Sequence, residues 1–158
     1  MQINPIAPHP DTHKESAMLK FLLPVDGSET STRAVTEFVR LTNWYKEVPE
    51  IHLLNVQLPQ RGNVPLFIDR ETIDLYYREE GMRELATACK ILKEAEISYS
   101  CHIVAGTPHD MILRYAGESG CNQIVMGPRG LGTVKGILLG SVASKVIQLA
   151  TVPVLLIK

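Results

Sequence analysis

Short continuous apolar runs alternate along this chain with longer stretches in which apolar residues recur every three or four positions. "LKFLLPVD" (19–26) is such a run, closed by Asp-Gly, and it predicts a buried strand. Ser28 then offers an N-cap, and Ala34, Phe38, Val39 and Leu41 mark one face of a helix reaching about Trp44. "EIHLLNVQL" (50–58) predicts the second strand and "PQRGNVP" a loop. A long helical pattern follows from about Arg70 to Ala95, with Gly81 as a weak point inside it.

"ISYSCHIV" (97–104) alternates, with Ile97, Tyr99, Cys101 and Ile103 on one face and Ser98, Ser100 and His102 on the other, as in a half-exposed strand. Thr107 as cap, Pro108 at the first helical position and Asp110 three residues after the cap predict a helix over 108–118. "CNQIVMG" (121–127) predicts strand four. Ser141 is the expected cap of a last helix marked by Val142, Val146 and Leu149, and "VPVLLI" (152–157) predicts strand five.

Five strands separated by helices specify an α/β fold: a single-domain, Rossmann-like open sheet of parallel strands with helices on both faces. The alternating third strand belongs at an edge, which gives the order 3-2-1-4-5. Ligands of such sheets sit beyond the carboxyl ends of the strands where the order reverses, here between strands one and four. Those two strands end in "VDGS" and "MGPRG", so Asp26 and Gly127 are expected to flank one crevice.

Composition narrows the class. At 158 residues the chain is the size of one domain. The expectation is a flexible, proline-containing tail over 1–17 and one folded domain over 18–158. A net charge of −1 leaves no electrostatic footprint for nucleic acid or an anionic membrane. The apolar runs are far shorter than the roughly 20 residues that span a bilayer, and the opening segment has no signal-like apolar core, so the expected compartment is the cytoplasm. Cys89, Cys101 and Cys121 lack CxxC spacing and read as reduced, buried small hydrophobes. The five histidines show no HExxH or similar ligand spacing.

Five of the eleven glycines fall within "VMGPRGLGTVKGILLGSVASKV" (125–146). Gly127 and Gly130 permit a tight turn and close approach of a ligand, while Gly140 and Ser141 open a helix. Unpaired N–H groups and the positive end of the helix dipole make such a start an anion site. Residues 131–139, with Gly132 and Gly136, would loop between the two halves. A carboxylate at Asp26 across the crevice suits ribose hydroxyls or a base amine. A plain strand-to-helix connection accounts for the same glycines without a ligand, and turn chemistry accounts for Asp26.

Gly127, Gly130, Gly140 and Ser141, spaced Gly-x2-Gly-x9-Gly-Ser, resemble the ATP-binding motif of the universal stress protein family. "LLPVDGSETSTRAV", "LLNV", "GTPHDMIL" and "VPVLLIK" resemble that family's other segments, so the likeness covers about residues 18–158. It implies that Asp26 and the backbone around Val56 hold the adenosine end of ATP. Gly127, Arg129, Gly130, Gly140, Ser141 and Val142 would hold the phosphates, with Mg2+ or Mn2+ bridging phosphate oxygens. Pro24, Val25 and Met126 complete the implied cofactor-binding set. Pro128 has no N–H to offer a ligand, at a position the motif leaves unspecified. The resemblance further implies a homodimer, pairing the apolar edge strand 152–157 with its copy.

Other nucleotide chemistries lack their signatures: there is no GxxxxGK[ST], no GxGxxG and no GxSxG. No crevice residue reads as a general base that activates water. The leading expectation is therefore a nucleotide-dependent stress-response regulator or interaction module. A slow ATP hydrolase or autophosphorylating protein, and a dimeric scaffold with incidental nucleotide, stand as alternatives.

Overall fold

The computed structural model describes residues 18–59, 70–130 and 139–158. The expected tail (1–17), most of the loop after the second strand and the span 131–138, with Gly132 and Gly136, lie outside the described residues. The element order is β1 (Lys20–Pro24), α1 (Glu29–Leu41), a 3-10 turn (Thr42–Trp44), β2 (Glu50–Gln57), α2 (Arg70–Glu94), β3 (Tyr99–Ala105), α3 (Pro108–Glu118), β4 (Gln123–Met126), α4 (Ser141–Leu149) and β5 (Val154–Leu156). The five strands form one parallel sheet in the order β3-β2-β1-β4-β5.

Alternation along each strand divides the core into two layers. Phe21, Leu23, Ile51, Leu53 and Val125 face Ala34, Val35 and Phe38 of α1 and Leu85, Ala88 and Leu92 of α2. Leu22, Leu54, Ile124 and Met126 point the other way, against Ile112 and Ala116 of α3 and Ala143 and Val146 of α4. A one-residue slip of any central strand would exchange these sets, so the register is tightly specified.

Several local expectations change in three dimensions. The first helix is α-helical only to Leu41, where Thr42 Oγ1 donates to the Val39 carbonyl at 2.6 Å and a 3-10 turn carries the chain to Trp44. Thr107 occupies the cap position of α3 with extended backbone, but its side chain makes no capping hydrogen bond. Gly140, not Ser141, is the N-cap of α4: its φ/ψ of −73°/159° is extended and its carbonyl accepts from Ser144 N at 2.9 Å. Ser141 is already helical, so its hydroxyl is one residue too late to cap.

Gly81 is not a weak point but a packing contact. A Cβ there would lie 2.7 Å from Ile103 Cγ2 and 3.0 Å from Asn55 Oδ1, so its absence lets α2 sit close to β2 and β3. Of the cysteines expected to be buried, only Cys121 is; Cys89 and Cys101 are half-buried. Their places on α2 and on the edge strand β3 leave one side open.

Candidate functional site

The carboxyl ends of β1 and β4 separate at the switch point between them, and a cavity of about 280 Å³ opens there. That is near the lower end of the roughly 300–1,000 Å³ usual for small-molecule pockets. All eleven residues expected at the site line it: Pro24, Val25 and Asp26 at and after the end of β1, Val56 on β2, Met126, Gly127, Arg129 and Gly130 at and after the end of β4, and Gly140, Ser141 and Val142 at the start of α4. Residues from four separate segments are thus gathered by topology alone.

Asp26 is held in a fixed pose by its own turn. Its Oδ1 accepts from Ser28 N at 3.1 Å and from Ser28 Oγ at 2.6 Å, while Ser28 Oγ accepts from Ser31 N at 3.1 Å and caps α1. Gly27 between them has φ +74°, a left-handed conformation that favours glycine. Turn chemistry and a position on the crevice wall therefore coexist at Asp26.

The glycines divide by what their missing side chains would strike. A Cβ on Gly130 would collide with Asp26 Oδ2, so Gly130 is the residue that faces the carboxylate across the crevice. At Gly127 a Cβ would come within 2.9 Å of Thr30 Cγ2 and 3.1 Å of Thr30 O, which makes this glycine a seat for α1. Gly140 folds back on the end of β4, its N–H donating to Pro128 O at 2.7 Å and its Cβ position 3.3 Å from Arg129 Cα. Pro128 thus contributes an acceptor that fastens the start of α4 beside β4. Residues Ser141, Val142 and Ala143, in the first turn of α4, line the cavity, bringing backbone N–H groups that have no partner within the helix to its wall.

Sequence reasoning missed the apolar half of the wall. Leu54 on β2, Leu58 just after it, and Pro108 and Ile112 on α3 line the cavity together with Met126 and Val142. In sequence they are indistinguishable from core; only their positions near the carboxyl end of the sheet set them apart. Also unforeseen was a polar network behind the crevice. Buried Asn55 donates through Nδ2 to Val25 O at 2.8 Å and to Glu84 Oε2 at 2.7 Å, and Gln57 Nε2 donates to Asn55 Oδ1 at 2.8 Å. It ties the residue before Asp26 to α2.

Among the described lining residues, Asp26 and Arg129 carry the charge, on opposite sides of the switch point. Among the described residues, no group of three or more His, Cys, Asp or Glu could hold a metal ion. The arrangement offers an apolar slot, one carboxylate, one guanidinium and a helix start, which can grip a flat apolar group joined through hydroxyls to an anion.

The model of the Universal stress protein family matches residues 18–158. The chain belongs to the universal stress protein family. It is 31% identical over 149 residues to universal stress protein MJ0531 of Methanocaldococcus jannaschii, covering 91% of this chain and 84% of that one. Universal stress protein YxiE of Bacillus subtilis is 30% identical over 88% of this chain and 98% of its own. The structure of MJ0577, a universal stress protein of M. jannaschii, superimposes with a TM-score of 0.72 at 29% identity, over 89% of this chain and 95% of that one. A universal stress protein in complex with cAMP superimposes with a TM-score of 0.63 at 26% identity, over 90% and 98% of the two chains. The five-stranded sheet described above is the fold that this universal stress protein shares with these relatives.

Proposed function

We propose that this universal stress protein binds ATP, or another adenine nucleotide, in the crevice between β1 and β4 and acts as a nucleotide-dependent stress-response regulator or interaction module. One observation carries the reading: the eleven candidate residues, scattered over 119 positions of sequence from Pro24 to Val142, line a single cavity that has an apolar wall and a helix start. A relative of 26% identity in complex with cAMP supports an adenine nucleotide as the ligand class. Asp26 and the Val56 backbone would take the ribose and base. Arg129, Gly130 and the first turn of α4 would take the phosphates. Mg2+ or Mn2+ would be held by phosphate oxygens, since the described wall offers Asp26 as its one carboxylate. That Asp26 Oδ1 already accepts two hydrogen bonds from Ser28 favours a binding role over that of a base activating water.

Isothermal titration of the full chain with ATP and magnesium is expected to show saturable heat. Gly130→Val, whose side chain would occupy the space beside the Asp26 carboxylate, is expected to weaken binding at least about tenfold, equivalent to about 1.4 kcal/mol. Gly130 has no positive φ, so a folded variant is expected, verified by circular dichroism. No heat from folded wild-type protein would refute the reading.

We also propose a homodimer through β5. This strand is the sheet's edge, and Val154, Leu155 and Leu156 are only half-buried there. A copy of the same edge would satisfy its outward backbone groups and cover its apolar side chains.

A further inference from the structure

We propose that Cys89 and Cys101 form a redox modification site, which a low-molecular-weight disulfide converts to an intramolecular disulfide fastening α2 to the edge strand β3. The two Sγ atoms lie 3.3 Å apart, although the residues are on different elements and twelve positions apart in sequence. A disulfide bond is about 2.05 Å long, so roughly 1.3 Å of approach, shared by two side chains, completes it. Both residues are half-buried, so solvent reaches the pair, whereas Cys121 is buried in the opposite layer between α3 and β4. Cys121 thereby serves as an internal control. Both cysteines pack at the margin of the core layer that Leu85, Ala88 and Leu92 form between α2 and the sheet, with one side of the pair open.

The chemistry balances as two thiol–disulfide exchanges. A Cys89 thiolate attacks one sulfur of R–S–S–R, forming Cys89–S–S–R and expelling RS−. The Cys101 sulfur then attacks Cys89 Sγ, giving up its proton to solvent, forming the Cys89–Cys101 bond and expelling the second RS−. Two electrons pass from the protein to the oxidant, which leaves as two thiols. Burial, and next the hydrogen bond with Cys89, push the Cys101 thiol up to about 12, so closure is expected to be faster at higher pH.

The test is intact-mass analysis and peptide mapping of the full chain, reduced and then exposed to oxidised glutathione under native conditions. The expected result is a loss of about 2 Da, one linked peptide joining residues 89 and 101, and a free thiol at Cys121. Cys101→Ser, nearly isosteric, is expected instead to stop at a glutathione adduct on Cys89. Wild-type protein that keeps all three thiols, or that accumulates a stable adduct on Cys89, overturns the proposal. The bridged form is also expected to melt several degrees above the reduced form, a shift absent from Cys101→Ser; a bridge without that shift would mean that it fastens nothing.

Discussion

Gly81 shows how opposing effects at one residue are weighed. Helix propensity alone favours alanine over glycine in a helix interior by about 1 kcal/mol. The added Cβ, however, would sit 2.7 Å from Ile103 Cγ2 and 2.8 Å from Ile103 Cγ1, well inside contact distance, in a layer where Asn55 is also fixed. Overpacking of this kind costs about 1–3 kcal/mol. Packing wins, so Gly81→Ala is expected to lower the urea midpoint despite its better propensity, with unchanged slope. A raised midpoint would mean that β3, as an edge strand, yields enough to admit the methyl group.

At the scale of elements, the strand pairing positions the crevice and also exposes its flank. At the two ends of β5 the carbonyl of Pro153 accepts from Ile124 N at 3.0 Å and the N–H of Ile157 donates to Met126 O at 3.0 Å. Alternation then turns the N–H of Val154 outward, away from β4. Val154→Pro removes that donor while sparing the ladder to β4, and is expected to convert the proposed dimer to a monomer in sedimentation velocity at micromolar concentration. A wild-type monomer under those conditions would dismiss the dimer outright. The glycine motif is likewise an element-scale device, because Gly127 seats α1 and Gly140 anchors α4 to the end of β4.

For the whole molecule, pH acts through a cluster between α3 and the β2–β3 edge. His52 bonds to Tyr115 Oη at 2.7 Å through Nδ1 and to Glu50 Oε1 at 2.8 Å through Nε2, while stacking on His102 with ring centroids 5.1 Å apart. His102 bonds in turn to Ser100 Oγ at 2.8 Å, and Lys20 stands 3.9 Å from Glu50. Burial, and then the neighbouring His52, hold His102 below its ordinary value, while the hydrogen bond from His52 holds Glu50 below its own. Both folded values are lower than the unfolded ones, so the unfolded chain binds more protons as pH falls. Stability is therefore expected to decline as pH drops below about 6.5, where unfolded histidine begins to protonate, and further through the carboxylate range. Urea midpoints between about pH 7.5 and about pH 3.5 measure this, limits about one unit above the ordinary histidine value and one unit below the ordinary carboxylate value. His102→Gln should flatten the upper part of the curve, and an unchanged slope would remove His102 as its cause.

Period and turn chemistry were enough to read the five strands, the intervening helices and the order 3-2-1-4-5, because an apolar run, a cap or a proline acts on its own neighbours. They were also enough to nominate Asp26 and the motif glycines, since the switch point follows from strand order. What local signals could not carry was the reason for each residue. Ser141 and Gly140 exchange roles as cap because the end of β4 draws the Gly140 N–H to Pro128 O. Leu54, Leu58, Pro108 and Ile112 become a wall, and Asn55 reaches Glu84, only when β2, α2 and α3 converge. Sequence alone determined the elements, their order and the place where the sheet opens. Which glycine faces a carboxylate, which seats a helix, and which two cysteines meet were decided by tertiary packing, because those contacts join segments that the chain holds far apart.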